Sequence, residues 1–410
     1  MTRHVLLPDR VFDSISGRMR EGLAVVIDGD RVSEVVRAAA VAGPATDLSG
    51  FTLLPGLIDM HTHLATPLDN GQGYAAVVQR SGAHDALAGV KHARETLQAG
   101  FTAVRDIGAW RAFTDVALRD AIDAGWIPGP RMACAGAFVT TPGGAGDITG
   151  LAVDVDEVLP RELRFGVTSG ADEMRSTVRQ ILRYGADFIK VLATGAVLTS
   201  GTKPGAPEFT EHELRAAVET AADAGTYVAA HAHGTEGIKR AVRAGVRSIE
   251  HGSMLDDEAI DLMASAGTYL VADLYDGDYI LEMGPSMGYS DEVLEKTRQT
   301  TEVQRVGFSK AVDAGVRIAF GSDAGVIPHG TQTQQFSYYV AHGLTSAQTI
   351  QSATRWAAEL MGWEDRVGAI APGMFADIVG VEGNPLEDIG RLADIRIVMK
   401  GGVWVVGPPR

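Results

Sequence analysis

Six residues spread over most of this chain are of types that hold divalent metal ions, and each stands at or near the end of an apolar, strand-like run. They are His61 and His63 in Gly56-Leu57-Ile58-Asp59-Met60-His61-Thr62-His63, Lys190 in Asp187-Phe188-Ile189-Lys190-Val191-Leu192, and His231 in Val228-Ala229-Ala230-His231. His251 in Ser248-Ile249-Glu250-His251 and Asp323 in Ala319-Phe320-Gly321-Ser322-Asp323 complete the set. Side chains alternate along a strand, so the two imidazoles of His61 and His63 share one face. Such a pair is a weak signal alone. Together the six suit a two-metal hydrolase, in which metals polarise a carbonyl and activate water. Lys190 follows Phe188 at strand spacing in a strongly apolar run, which points it inward. A buried lysine loses charge through desolvation, and a neutral amine can add carbon dioxide to give a carbamate.

Residues this far apart in sequence meet if they end the parallel strands of a barrel, whose strand ends converge on one face. The chain from about residue 57 onward has the required texture. Segments of helix length alternate with short apolar runs, most introduced by glycine: Gly100–Arg105, Arg131–Ala135, Ala186–Lys190, Gly225–Ala229, Gly245–Ile249, Gly267–Val271 and Gly315–Ala319. With the strand that ends at His61 they make eight, the count of a (β/α)8 TIM barrel. Thr210-Glu211-His212-Glu213 reads as a capping box opening a helix. Before Pro55 the pattern is of short strands, including Leu23–Ile27 and Val32–Val36 around an Asp28-Gly29-Asp30 hairpin turn. After about residue 370 short strands return at Ala376–Val381, Ile395–Lys400 and Val403–Val406. The expected α/β architecture is a catalytic barrel over 57–370 beside a small β-sandwich domain built from 1–56 and 371–410.

Composition narrows the partners. The 410 residues are 45% hydrophobic and 21% charged, as in an ordinary soluble protein. A net charge of -16 argues against nucleic acid or an anionic membrane surface, both of which demand basic patches. No apolar run approaches the roughly 20 residues of a membrane span, and the first ten residues lack the apolar stretch of a signal peptide. The single cysteine, Cys134, cannot form an internal disulfide and reads as core rather than nucleophile. These features point to a cytoplasmic protein whose partner is a small-molecule substrate, and a homo-oligomer is expected.

The string Leu53-Leu54-Pro55-Gly56-Leu57-Ile58-Asp59-Met60-His61-Thr62-His63 resembles the opening motif of the amidohydrolase superfamily. The resemblance continues through Lys190, His231, His251, Gly321-Ser322-Asp323-Ala324-Gly325 and the closing Ala371-Pro372-Gly373-Met374-Phe375-Ala376-Asp377-Ile378. It implies two divalent metals, zinc first among the candidates, bridged by a carbamate on Lys190. It also implies that His61, His63 and Asp323 hold one metal and that His231 and His251 hold the other. A metal-bridging hydroxide would then attack the substrate, with Asp323 moving its proton to the leaving amine. The net charge of two dications, a carbamate, an aspartate and a hydroxide is a single positive charge, which favours an oxyanionic transition state.

Ala193-Thr194-Gly195-Ala196-Val197 after Lys190 brings the chain nearest to the branch of Xaa-Pro dipeptidases and related carboxypeptidases. That branch often carries Gly-Gly-His-Gly-Asp after the third strand, where this chain has Gly143-Gly144-Ala145-Gly146-Asp147. The lost imidazole weakens the case for a peptide carboxylate and strengthens that for a neutral amide, urea or carbamate. A dipeptide and an N-acyl amino acid remain in the expected class. Three further residues are expected to touch substrate. Tyr275 could donate to its carbonyl, Asp273 could meet a cation, and His233 lies on the same face as His231. His329 reads as a loop residue. Two other readings compete, a mononuclear deaminase or cyclic-amide hydrolase on the same barrel and a non-catalytic scaffold. The deaminase usually shows His-x-x-Glu on the fifth strand, but Gly234 stands three places after His231. The scaffold would lack several ligands, and all six stand here.

Overall fold

The computed structural model describes residues 3–67 and 73–408. Within them every expected barrel run forms a parallel strand. In chain order these are Leu57–Thr62, Phe101–Asp106, Arg131–Cys134 (resumed at Phe138–Val139), Ile189–Leu192, Val228–Ala232, Ser248–His251, Tyr269–Val271 and Arg317–Ile318. The first three pair side by side as one sheet, and Phe138–Val139 through Arg317–Ile318 pair in sequence order as another. Main-chain hydrogen bonds outside these ladders span both gaps. Asp187 N donates to Cys134 O (2.8 Å), Met60 N to Phe320 O (2.8 Å) and Asp323 N to His61 O (2.9 Å).

Helices fill the connections. Thr210 caps Glu211–Asp223, with the reciprocal Glu213 contact of a capping box. The helices Thr235–Ala244 and Asp257–Ala266 end on Gly245 and Gly267, whose φ values of 95° and 69° are left-handed. A residue with a Cβ is strained there, which explains why glycine introduces the strands that follow. Cys134 is buried in the main core, where its thiol contacts Asp115 O.

The chain ends meet as expected, in one hydrogen-bonded set of eight strands whose two ends pack in a shared core, Val25 and Val32 with Ile378 and Ile397. Its order runs Val403–Val406, Ile397–Lys400, Ile378–Glu382, Thr46–Pro55, Arg3–Asp13, Leu23–Asp28 and Arg31–Arg37, with Arg18–Glu21 added on Arg3–Asp13. Thr46–Pro55 is the joint: it lies parallel to Arg3–Asp13 and antiparallel to Ile378–Glu382, so it fuses the two ends. Alternation of apolar residues shows that strands exist but not which edges pair. The joining strand ends at Pro55, one residue before the barrel strand carrying His61. No helix among the described residues is long and apolar enough to cross a membrane.

Candidate metal centre

The six residues singled out by type and spacing come together at one mouth of the strand ring. His61, His63, Lys190, His231, His251 and Asp323 all line a single cavity of about 230 Å³. Ring centroids lie 5.5 Å apart for His61 and His63, 4.8 Å for His61 and His251, and 4.5 Å for His231 and His251. Asp323 Oδ1 sits 3.4 Å from His61 Nε2 and 3.3 Å from His63 Nε2.

Hydrogen-bond partners decide which ring nitrogen is bare. His61 Nδ1 faces Glu250 Oε2 (3.1 Å), His63 Nδ1 faces Gly108 O (2.7 Å) and His251 Nδ1 faces Asp273 Oδ2 (2.6 Å). Carboxylates and carbonyls only accept, so each Nδ1 donates and each ring, in its neutral form, presents its Nε2 lone pair to the cavity. Burial, followed by nearby positive charge, holds His61, His231 and His233 well below the ordinary imidazole value, which keeps them neutral. Two lone pairs and the carboxylate oxygen of Asp323 therefore converge. Asp323 Oδ1 is buried and makes no hydrogen bond. Such an arrangement is repulsive unless a cation or proton lies between, so the donor set fits a divalent metal. Burial opposes charge on His63, yet the adjacent Asp323 raises its pKa. Burial would likewise raise the Asp323 carboxyl, but His61 and His63 hold it below the usual range.

Lys190 is 2% exposed, and no hydrogen bond or ion pair to it occurs among the described residues. Desolvation lowers its pKa to about 8, so a usable fraction of the amine is neutral near physiological pH. His251 and Asp323 both hold left-handed backbone, with φ of 66° and 55°. That conformation costs a non-glycine residue on the order of 1–3 kcal/mol and concentrates at functional sites.

The substrate residues expected from sequence fare differently. His233 lines the cavity, stacks on His251 at 4.6 Å and sets Nδ1 2.7 Å from Ser253 Oγ. Asp273 also lines it, but its two oxygens are engaged by His251 Nδ1 and Gln304 Nε2 (2.9 Å). It orients a ring rather than waiting for a substrate cation. Tyr275 is not part of the lining; its ring packs against Tyr279 and Tyr338, and Asp276 reaches the cavity instead. Ala145 does line the cavity, with its amide held by Glu208 Oε1 (2.8 Å). His329 lies in a turn outside helix and strand, as expected, and is buried there, stacked on His92 at 4.4 Å.

Sequence reading missed a buried network beneath the histidines. Arg105 and Glu250 are both fully buried. Arg105 donates Nη2 to Glu250 Oε1 (2.7 Å), Nη1 to Ser248 Oγ (3.0 Å) and Nε to Met60 O (2.8 Å). Two charges inside apolar strands were the available signal.

Residues 52–405 match the Amidohydrolase family. The chain belongs to that family. It is 32% identical over 376 residues to ochratoxinase of Aspergillus niger, covering 87% of this chain and 76% of the fungal protein. Among solved structures it resembles a Xaa-Pro dipeptidase with methionine bound in the active site, with TM-score 0.91 and 37% identity over 99% of this chain and 100% of the other. A prolidase complexed with N-methylphosphonate-L-proline gives TM-score 0.90 at 33% identity, over 99% and 100% of the two chains. This amidohydrolase thus has the α/β architecture of a TIM-barrel family with an added β domain. Its relatives support a hydrolase of amide-type bonds acting on small molecules. Amidohydrolases generally bind metal ions, and the His/Asp clusters here offer the ligand types for it.

Proposed function

We propose that this amidohydrolase is a binuclear enzyme that hydrolyses a C–N amide-type bond in a dipeptide, an N-acyl amino acid or a related amide, urea or carbamate. The observation that carries this reading is the convergence of Asp323 Oδ1, buried and without a hydrogen bond, on the bare Nε2 atoms of His61 and His63. His61, His63 and Asp323 would hold one divalent ion, zinc first among candidates, and His231 and His251 a second. Lys190 would bridge them as a carbamate. Bound ions would supply Lewis acidity for the scissile carbonyl and for water.

The protein's own residues do the rest. Glu250, Gly108 and Asp273 fix the imidazole tautomers, which orients ligands before any ion arrives. Asp323, held ionised, accepts the proton of the attacking water and returns it to the leaving amine. His233 Nε2, with Nδ1 tied to Ser253, is placed to contact the substrate from the side of His231. The names of the relatives, ochratoxinase, Xaa-Pro dipeptidase and prolidase, fit this reading.

The test joins elemental analysis of protein grown with added zinc to a hydrolysis screen of N-acyl amino acids, dipeptides, arylureas and carbamates. Two equivalents of metal and turnover of at least one class are expected. One equivalent at full activity would reject the binuclear centre, and no turnover by the two-metal protein would reject the hydrolase reading.

A further inference from the structure

Asp59 belongs to the opening motif that ends at His63, yet nothing in the proposed reaction uses it. It stands two residues before His61 on the strand Leu57–Thr62, so its side chain shares the face of the two histidines. It is fully buried, and no lysine, arginine or histidine pairs with it among the described residues. A buried carboxylate without a cation must be held by other donors. Here they come from two segments of the barrel wall. Oδ1 accepts from His61 N (3.1 Å) and Ser322 N (3.1 Å), and Oδ2 accepts from Ser322 Oγ (2.5 Å).

Ser322 immediately precedes Asp323. Its hydroxyl, which donates to Asp59, also accepts from Ala324 N (3.2 Å). The residues on both sides of Asp323 are thus tied to one carboxylate, directly or through the Ser322 hydroxyl. The same carboxylate grips the main chain at His61, and Asp323 N donates across to His61 O (2.9 Å). Asp323 needs such a frame. Its φ of 55° lies in the left-handed region, which a residue with a Cβ leaves unless its surroundings hold it there. Its Oδ1 must also stay 3.4 Å from His61 Nε2 and 3.3 Å from His63 Nε2. A carboxylate suits the task, because two oxygens that only accept can take three donors.

We infer that Asp59, acting through Ser322, is a positioning residue that keeps Asp323 in its left-handed conformation and sets its carboxylate against His61 and His63. It touches no reacting atom itself. The inference deepens the proposed metal centre and rests on it for the zinc measurement below, but not for the structural one. In Asp59→Asn the remaining oxygen can keep the two main-chain amides, but the NH2 group then faces the Ser322 hydroxyl, which loses its acceptor. Ser322→Ala removes the bridge outright and takes the partner from Ala324 N.

Two measurements on each variant test this: zinc affinity by competition with a chromogenic chelator, and the crystal structure of the metal-free protein. Asp59→Asn and Ser322→Ala should each bind zinc about 10- to 100-fold more weakly, the effect of losing support behind a metal ligand. In both structures Asp323 should leave the left-handed region or carry Oδ1 away from His61 and His63. Ser352→Ala is the control. Ser352 is fully buried and donates its hydroxyl to Thr349 O (2.7 Å), so an equivalent bond is lost with no proposed ligand attached. Its zinc affinity should stay within about threefold of wild type. Wild-type affinity in both Asp59→Asn and Ser322→Ala would overturn the inference. So would weaker affinity with Asp323 unmoved, which marks a general loss of stability. Should Asp59→Asn not fold, Ser322→Ala decides alone by the same two readings. If wild type takes up no zinc, the metal-centre reading fails, and the place of Asp323 in the Ser322→Ala structure still decides the inference.

Discussion

Replacing Glu250 with glutamine changes one heavy atom and should weaken metal binding by His61, the proposed ligand whose Nδ1 Glu250 holds. Glu250 is fully buried, takes Arg105 and Ser248 on Oε1, and takes His61 Nδ1 on Oε2. In Glu250→Gln the amide oxygen must stay with Arg105, because an NH2 group facing a guanidinium opposes donor to donor. The amide NH2 then faces His61 and donates to Nδ1, which drives the ring proton to Nε2. That nitrogen is the one 3.4 Å from Asp323 Oδ1. Loss of such an orienting partner typically costs 10–100-fold in metal affinity, or about 1.4–2.7 kcal/mol. The same change removes the buried counter-charge of Arg105, worth about 3–5 kcal/mol when a partner is lost outright. Glutamine retains an acceptor, so the stability loss should fall below that range. Competition with a chromogenic chelator reads the affinity, and urea unfolding of metal-free protein reads the stability. Ser248→Ala is the control: it should cost about 1 kcal/mol of stability with metal affinity unchanged. If Glu250→Gln bound zinc as tightly as wild type, the tautomer argument would be wrong.

Asp323→Asn should fold yet lose about 10²–10⁴-fold in turnover; near-normal turnover would refute its role in proton transfer. Ala145→His should raise the kcat/KM ratio of N-acyl amino acids over the matching neutral amides, because position 145 lines the cavity; an unchanged ratio would place all carboxylate recognition elsewhere. Lys190 has its pKa lowered from 10.5 to about 8 on folding, so between those values the unfolded chain binds the extra proton. Stability of metal-free protein should therefore rise with pH across that window, by up to about 3 kcal/mol, and fall again as pH drops toward 8. Lys190→Met should shrink this difference, read as the gap between the two urea-unfolding curves at pH 8 and pH 10, and leave the share of Lys400, which burial also lowers to about 8.

How much the sequence revealed depended on periodicity. Strands that carry His61, His231 and His251 at or next to their ends are short, apolar and introduced by glycine or a tight turn, so their existence and the histidines at their ends could be read directly. Alternation stops being informative where a strand stops. Tyr269–Val271 ends, and the chain turns into the helix Asp276–Met287, so counting on from the strand favoured Tyr275 over Asp276 for the cavity. Asp273 illustrates a second limit. Its position was legible, but its bond to His251 was not, because the partner lies on a neighbouring strand. Arg105 and Glu250 stood visible as charges in apolar runs, yet only packing shows them neutralising each other. Which strand edges join the two chain ends was hidden for a similar reason, since edge pairing is a property of two strands and not of either alone.

The left-handed backbone at His251 and Asp323 has an evolutionary consequence. Glycine or asparagine would relieve the local strain at either position, so selection for stability alone would tend to replace both residues. In a library screened for thermal tolerance without zinc or substrate, the proposed metal centre should be among the first features to decay. Its persistence in a lineage would report on continued use of the reaction more directly than the persistence of the barrel does.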